Sequence, residues 1–305
     1  MLIPDLTVKI AGVSLANPVM PASGCFGYGE EYVPYFDLRR LGAVVVKGTT
    51  AEACAGNPPP RLAETTGGML NAIGLQNPGA AAAREKIIAL QQWSVPVIVN
   101  VSGHSAAQYR AVIELLDDLT VVAAYEINIS CPNVKAGGMA FGTDPLVVAA
   151  LVRELRGATK KPLIIKLSPN VTDVTVIARA AAEGGADALS LINTLLGMAI
   201  DVERRRPILA NLTGGLSGPA IKPVALRMVW QVTEAVEIPV IGMGGIAGAR
   251  DAIEFLMAGA SAVAIGAANF TNPLVCPETV EGISAYLKEN GFASVKEIVG
   301  LAKKK

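Results

Sequence analysis

Short apolar runs and longer amphipathic stretches alternate along this 305-residue chain. The short runs are rich in Val, Ile and Ala and are bounded by Pro, Gly, Asn or Lys, which is typical of β-strands. Eight strands are predicted, at Pro18–Ala22, Ala43–Lys47, Val95–Val101, Tyr125–Ile129, Pro162–Leu167, Ala186–Ile192, Ile238–Gly242 and Ala262–Gly266. The longer stretches have apolar positions at helical spacing. They predict helices at Ala80–Gln92, Ala106–Leu116, Pro145–Arg156 and Val171–Glu183.

This alternation of strands and helices predicts a parallel sheet with right-handed crossovers, because consecutive βαβ units pair in that way. Eight such units favour a closed (β/α)8 TIM barrel of the α/β class over an open sheet. Two segments stand outside the repeat. Leu6–Leu15 predicts an N-terminal β-hairpin around Ala11-Gly12, expected at the bottom of the barrel, and Leu195–Ser217 predicts an inserted excursion after the sixth strand. No linker divides the chain, so residues 1–305 are expected to form one domain.

The composition narrows the class of protein. Hydrophobic residues make up 51% and aromatic residues only 5%, so the core is aliphatic, as in a parallel sheet covered on both faces. Lys+Arg and Asp+Glu balance at 26 each, which disfavours binding to nucleic acid or to an anionic membrane. The four cysteines form no CxxC motif, so neither a metal site nor a disulfide framework is expected. The chain lacks a signal-peptide pattern and a membrane-spanning stretch, so a cytoplasmic location is expected.

The residues that follow the predicted strands are unusual in their chemistry. In a barrel they meet at one mouth, and here they include Lys47, Lys166, several amides and Cys131, with almost no carboxylate. Such a set does not suit hydrolysis by paired acids or a hard divalent metal. Lysines and amides suit a planar, anionic heterocycle with many hydrogen-bonding edges.

Two glycine-rich turns predict a phosphate site. Gly242–Gly245 and Gly266-Ala267 follow the seventh and eighth strands, where barrels commonly bind phosphate through backbone N–H groups. The segment Gly242–Ala247 lacks the third glycine of a dinucleotide motif. A mononucleotide cofactor is therefore expected.

Two segments resemble the signatures of the dihydroorotate dehydrogenase family: residues 71–79, Asn-Ala-Ile-Gly-Leu-Gln-Asn-Pro-Gly, and residues 128–133, Asn-Ile-Ser-Cys-Pro-Asn. The resemblance extends in the family's order from Val8 to beyond Gly266. The first segment, with Gly137-Gly138 and Phe141-Gly142, is most similar to the class 1B group. The resemblance implies oxidation of dihydroorotate to orotate in pyrimidine synthesis, with one FMN per chain. In class 1B, two catalytic subunits are flanked by two iron–sulfur flavoprotein subunits, which carry FAD and a [2Fe-2S] cluster and pass electrons to NAD.

The resemblance also implies roles for individual residues. FMN would contact Ser23, Lys47, Gly48, Asn100, Asn128, Lys166, Ile192, Gly218, Gly244, Gly245, Gly266 and Ala267. The substrate would contact Lys47, Asn71, Ala72, Ile73, Gly74, Leu75, Asn128, Asn133, Asn193 and Thr194. Cys131 takes the place of the catalytic base, with Lys47 as a second catalytic residue. A flavin must take the hydride because no side chain can, whereas a thiol with a pKa of about 8.5 can take the proton.

Other residues receive plainer interpretations. The remaining cysteines, Cys25, Cys54 and Cys276, are expected to be inert packing residues. His104 is interpreted as a surface-loop residue, and Arg204–Arg206 as a solvated charge run. The glycine-rich loop Val134–Thr143 is hypothesised to be a lid over the substrate.

Three alternative functions stay open on the sequence. A class 1A enzyme would share the fold and the cysteine but pass electrons to fumarate. An FMN-dependent tRNA-dihydrouridine synthase would need a basic surface and an RNA-binding domain, which the neutral charge disfavours. A non-catalytic phosphate-binding barrel would leave the lysines, amides and Cys131 without a purpose.

Overall fold

Strands and helices alternate through the computed structural model, which describes residues 3–130 and 141–304. In chain order the strands are β1 (Val8–Ile10), β2 (Val13–Leu15), β3 (Val19–Pro21), β4 (Val44–Thr49), β5 (Leu62–Thr65), β6 (Gly68–Asn71), β7 (Val97–Val101), β8 (Val122–Asn128), β9 (Leu163–Lys166), β10 (Ala188–Leu191), β11 (Leu195–Met198), β12 (Ile200–Asp201), β13 (Arg206–Pro207), β14 (Thr213–Ser217), β15 (Val240–Met243) and β16 (Ala262–Ile265). The α-helices are α1 (Ala80–Ala89), α2 (Ala106–Leu116), α3 (Pro145–Arg156), α4 (Val174–Glu183), α5 (Lys222–Ala235), α6 (Ala249–Met257), α7 (Ala268–Thr271) and α8 (Val275–Glu289).

Eight of these strands form one parallel sheet, in the spatial order β3, β16, β15, β10, β9, β8, β7, β4. The two edge strands approach each other, because the Gly42 N–H donates to the Val19 carbonyl at 2.8 Å. Gly42 permits this approach, since a Cβ there would lie 2.1 Å from the Asn17 carbonyl oxygen. The sheet is therefore nearly closed into a barrel flanked by helices. This confirms the predicted (β/α)8 fold.

The barrel strands are buried on both faces, which explains their aliphatic composition. Every residue of β9, β10, β15 and β16 is buried. All eight strands appear where the sequence predicts them, within a few residues at each end. Helices α2 and α3 have the predicted bounds, whereas α4 begins at Val174 rather than Val171. It begins there because the Asp173 carboxylate accepts the Thr175 N–H and caps the helix.

The predicted N-terminal hairpin is present as β1 and β2, paired antiparallel. Its turn residues Ala11 (φ 49°) and Gly12 (φ 88°) both have positive φ, as a two-residue hairpin turn requires. Val8, Ile10 and Leu15 are buried in the core. The hairpin thus packs against the barrel through these three apolar side chains.

A second, four-stranded antiparallel sheet has the order β11, β14, β6, β5, and we call it the small sheet. Strands β11 and β14 belong to the predicted excursion after the sixth barrel strand, which is confirmed. The hairpin of β5 and β6 was not predicted from the sequence. Because β5 follows barrel strand β4 and β11 follows barrel strand β10, the small sheet is attached at the carboxyl ends of the barrel strands. None of the helices in the described ranges is long and apolar enough to cross a membrane.

Candidate active site

Polar residues occupy the carboxyl ends of the barrel strands, and we call this face the mouth. Asn100, Asn128 and Lys166 lie within the last two residues of β7, β8 and β9. Lys47 lies near the end of β4, and Ser23 follows β3. The strands therefore deliver amides, a hydroxyl and two lysines to the same end of the barrel.

The centre of this group is a buried carboxylate, Glu126, which is 3% exposed. Its Oε2 accepts a hydrogen bond from Asn100 Nδ2 at 2.5 Å, and its Oε1 accepts one from Ser190 Oγ at 2.8 Å. Lys166 Nζ lies 3.7 Å from Oε2. The parallel register produces these contacts, because Asn100 pairs with Glu126 and Ser190 pairs with Lys166 across neighbouring strands. Three strands thus surround one negative charge with donors.

Lys166 connects this carboxylate to the opposite wall of the barrel. Its Nζ donates to Ser23 Oγ at 3.3 Å. Lys166 and Ser23 are each only 6% exposed. A buried ammonium is tolerated here because it has both an anionic partner and a hydroxyl acceptor.

A chain of amides leads from this cluster along the mouth. Asn128 Nδ2 lies 3.4 Å from Ser102 Oγ, and Asn193 Nδ2 donates to Asn128 Oδ1 at 3.3 Å. Asn193 Oδ1 in turn accepts the Thr194 N–H at 2.8 Å. The strand end at Asn128 is held by the Tyr109 hydroxyl, which donates to the Asn128 carbonyl at 2.7 Å. Four of the predicted cofactor residues (Ser23, Asn100, Asn128 and Lys166) and two further predicted substrate residues (Asn193 and Thr194) are therefore linked by these polar contacts.

Lys47 and Cys25 face the same space as Lys166. Burial lowers the pKa of Lys47, and the nearby Arg61 guanidinium lowers it further, against the attraction of Cys25. Burial raises the pKa of the Cys25 thiol to about 11, although Lys166 and Lys47 oppose this rise. Cys25 is half-buried, and the raised pKa favours its protonated thiol over the reactive thiolate at neutral pH.

The small sheet brings Asn71 and Thr194 together. Asn71 Nδ2 donates to the Gly215 carbonyl at 3.2 Å. A Cβ on Gly215 would lie 2.0 Å from Thr194 Oγ1, so only glycine allows this packing. The loop that continues from Asn71 is shaped by two residues with positive φ, Gly74 (72°) and Leu75 (58°). Its start is tied to the barrel side by Asn57 Nδ2, which donates to the Ala72 carbonyl at 2.9 Å.

Two of the predicted phosphate residues, Gly244 and Gly245, pack against the first part of α5. Gly218 (φ 100°) precedes this helix, and a Cβ on Gly245 (φ 76°) would lie 2.7 Å from the Lys222 backbone nitrogen. The Gly244-Gly245 turn therefore packs against a helix N-terminus, where an anion is favoured. Asp251 links the turn to α5, because its carboxylate accepts hydrogen bonds from the Ala247 N–H at 2.9 Å and from Lys222 Nζ at 2.7 Å.

The surroundings of the remaining predicted residues are as follows. Ile192 is buried next to Gly244, and Gly48 lies beside Asn100. Gly266 and Ala267 directly follow β16. His104 and Arg204–Arg206 are exposed, as predicted. Cys131, Asn133 and residues 134–140 of the hypothesised lid lie outside the described residues.

The sequence analysis did not single out Glu126, a buried carboxylate within β8 that contacts Asn100 and Lys166. The missed signal was a charged residue in the middle of the apolar segment Tyr125–Ile129. An inward-facing glutamate there must find buried partners. Gly215 and Asp251 were also missed, because their partners are distant in sequence and no local pattern marks them.

The fold and the polar mouth define a class of proteins: (β/α)8 barrels whose candidate site lies at the carboxyl ends of the strands. The comparisons with known proteins narrow this class. The family model described as dihydroorotate dehydrogenase matches residues 5–287, and the chain belongs to this family.

Three relatives carry the name dihydroorotate dehydrogenase B (NAD(+)), catalytic subunit. The protein of Geotalea uraniireducens is 59% identical over 298 residues, 97% of this chain and 98% of the relative. That of Geotalea daltonii is 58% identical over 301 residues, 98% of this chain and 99% of the relative. That of Geobacter sulfurreducens is 58% identical over 298 residues, with 97% and 98% covered. The similarity therefore extends over nearly the whole length of these proteins.

Proposed function

We propose that this chain is the FMN-binding catalytic subunit of an NAD-linked dihydroorotate dehydrogenase, which oxidises (S)-dihydroorotate to orotate in pyrimidine synthesis. The observation that carries the proposal is the network of polar contacts that runs from buried Lys166 and Asn100, through Ser102, to half-buried Asn128 and Asn193. Such a network can hold an electron-rich ring and a second, anionic heterocycle next to each other.

The residues present fit FMN. The Gly244-Gly245 backbone packs so closely on the start of α5 that a Cβ on Gly245 would lie 2.7 Å from the Lys222 nitrogen. Backbone at a helix N-terminus suits a phosphate. The hydroxyl of Ser23, the amide of Asn100 and the ammonium of Lys166 suit the polar edge of a flavin ring. When bound, FMN supplies the hydride acceptor that this reaction needs.

The chain's own groups would perform the remaining steps. Lys47 is proposed to form an ion pair with the substrate carboxylate. The amides of Asn71, Asn128 and Asn193 and the hydroxyl of Thr194 are proposed to orient the substrate ring. Cys131, which follows β8 by three positions, is proposed to take the proton from the carbon next to the one that loses hydride. Lys166 would stabilise the negative charge that develops on the reduced ring.

The partner is proposed from the names of the relatives, which include NAD(+) and describe a catalytic subunit. We infer an iron–sulfur flavoprotein subunit that carries FAD and a [2Fe-2S] cluster and passes electrons to NAD. Two copies of this chain are proposed to form a homodimer within a heterotetramer, located in the cytoplasm. Residues 1–305 are proposed to act as one domain, so unfolding should follow a single cooperative transition.

The first test is an anaerobic titration of the purified chain with dihydroorotate while the flavin absorbance is recorded. We expect the flavin to bleach, and we expect neither NAD nor fumarate to restore the colour efficiently without the partner subunit. Restoration by fumarate would identify a fumarate-linked enzyme instead. Protein that contains no flavin, or whose flavin dihydroorotate does not bleach, would overturn the proposal.

The role of Cys131 has its own test. Cys131→Ala should keep bound FMN but lose about 10²-fold or more in the rate of flavin reduction, the usual contribution of a positioned base. Cys276→Ala, which changes a buried thiol in α8, is the matched control and should reduce flavin at the normal rate. A Cys131→Ala protein with the same rate as this control would exclude Cys131 as the base.

A further inference from the structure

Glu126 is a buried ionisable group that the chemistry proposed above does not use. It is 3% exposed, and a carboxylate in such a position is retained only when donors surround it. Two of its partners, Asn100 and Lys166, are the residues proposed to contact the flavin ring. Any change in the charge of Glu126 therefore reaches the cofactor site through these two side chains.

The contact with Glu126 fixes which face of Asn100 points into the mouth. An ionised carboxylate only accepts hydrogen bonds, so Asn100 must offer it the Nδ2 amine. Its Oδ1 then points the other way, 3.5 Å from Ser102 Oγ and close to Gly48, where a Cβ would lie 3.0 Å from it. Gly48 and Ser102 belong to the mouth. Asn100 thus presents an acceptor to a ligand bound there.

The same carboxylate sets the charge of the site. Lys166 Nζ lies 3.7 Å from Glu126 Oε2, and both side chains are almost fully removed from water. At this spacing in a protein interior the two charges partly neutralise each other. A ligand in the mouth therefore experiences less positive charge than Lys166 alone would provide.

We propose that Glu126 is a positioning residue that tunes the cofactor site, by turning the Asn100 acceptor toward bound FMN and by offsetting the charge of Lys166. This inference rests on the proposed function, since FMN is the ligand concerned. FMN reduced by two electrons and one proton carries one more negative charge than oxidised FMN. Glu126 therefore weakens the binding of reduced FMN relative to oxidised FMN, and lowers the midpoint potential of the bound flavin.

The test is the midpoint potential of the bound flavin, measured spectroscopically without oxygen against a reference dye and with the protein in excess over FMN. Glu126→Gln keeps the shape and removes the charge. We expect reduced FMN to gain about tenfold in affinity relative to oxidised FMN, which raises the two-electron potential by about 30 mV. Glu126→Asp keeps the charge and should stay near the wild-type potential. Glu114→Gln removes an exposed carboxylate that pairs with Arg110 on α2, and it should change nothing.

A second variant leaves the carboxylate in place and serves if Glu126→Gln does not fold. Ser190→Ala removes the donor at 2.8 Å from Glu126 Oε1, so the negative charge opposite Lys166 becomes less compensated. The midpoint potential should then move downward. An unchanged potential in Glu126→Gln, or an upward shift in Ser190→Ala, would overturn the proposed role of Glu126. Wild-type protein without FMN would instead refute the proposed function, so the two failures are distinguishable.

Discussion

The barrel and the small sheet are built on opposite principles. The strands of the barrel are buried on both faces, and β9, β10, β15 and β16 expose nothing. In the small sheet, β5 and β11 alternate between half-buried and exposed positions, β6 and β14 are mostly half-buried, and the four strands include four glycines, among them Gly68 and Gly215. Apolar burial therefore supports the barrel, whereas close backbone approach shapes the small sheet. The barrel should determine stability, and the small sheet should determine how the substrate fits.

The largest effect is expected where a side chain would force the barrel open. Gly42→Ala places a Cβ 2.1 Å from the Asn17 carbonyl oxygen, between the two edge strands β3 and β4. The added Cβ would meet the backbone carbonyl oxygens of Asn17 and Val19, which cannot rotate away as a side chain could. We therefore expect a loss of about 3 kcal/mol in the free energy of unfolding. Chemical denaturation monitored by circular dichroism measures it. A loss below about 1 kcal/mol would mean that the barrel is not held closed at this point.

The features behind this first prediction could largely be predicted from the sequence. Each barrel strand is a short aliphatic run with its own boundary residues, such as Pro162 before β9 and Lys166 at its end. These signals are local, and eight repeats of a strand followed by a helix are typical of a (β/α)8 barrel. The polar residues of the mouth follow from the same pattern, because they occupy the strand ends. Glu126 was missed because its partners come from other strands.

The matching change in the small sheet should affect binding more than stability. Gly68→Ala places a Cβ 2.0 Å from the Ser217 carbonyl oxygen, between β6 and β14. This sheet can shift toward solvent, so we expect a stability loss of about 1 kcal/mol or less. The shift would displace Asn71 at the end of β6, and orotate should bind about tenfold more weakly. Titration with orotate, followed by the flavin absorbance, measures this affinity. The control is Gly42→Ala, measured at a temperature where that variant is folded.

The small sheet could not be predicted in this way. Its strands β6 and β14 are far apart in the sequence, and no local pattern indicates that Gly68 lies next to Ser217 in the fold. Gly215 has no local pattern that distinguishes it from a loop glycine, although its carbonyl holds Asn71. The family resemblance implies a substrate role for Asn71, but it does not indicate the contact with Gly215.

A third prediction concerns the pH dependence of orotate binding at the barrel mouth. Burial lowers the pKa of Lys47 in β4, which is proposed to form an ion pair with the substrate carboxylate. Below this pKa the ammonium attracts orotate, and as the pH rises through it both the charge and the affinity are lost. Orotate affinity should therefore begin to fall at a pH below the pKa of an ordinary lysine, about 10.4.

The control for this pH dependence is Lys47→Arg, because a guanidinium keeps its charge throughout the accessible range. Its orotate affinity should not depend on pH between about 8 and 10. If the variant and the wild-type protein lost affinity in parallel, another group would be responsible for the pH dependence.

The smallest effect is expected on the outer face of the small sheet. Leu196 in β11 is 69% exposed, whereas Leu189 in β10 is fully buried. Leu189→Ala should cost about 3 kcal/mol, because it leaves a cavity in the barrel. Leu196→Ala should cost less than about 0.5 kcal/mol, since water already surrounds the side chain. Denaturation of both variants at several protein concentrations measures the difference. A loss above about 1 kcal/mol at Leu196 that grows with protein concentration would mean that this face is covered by another chain in solution.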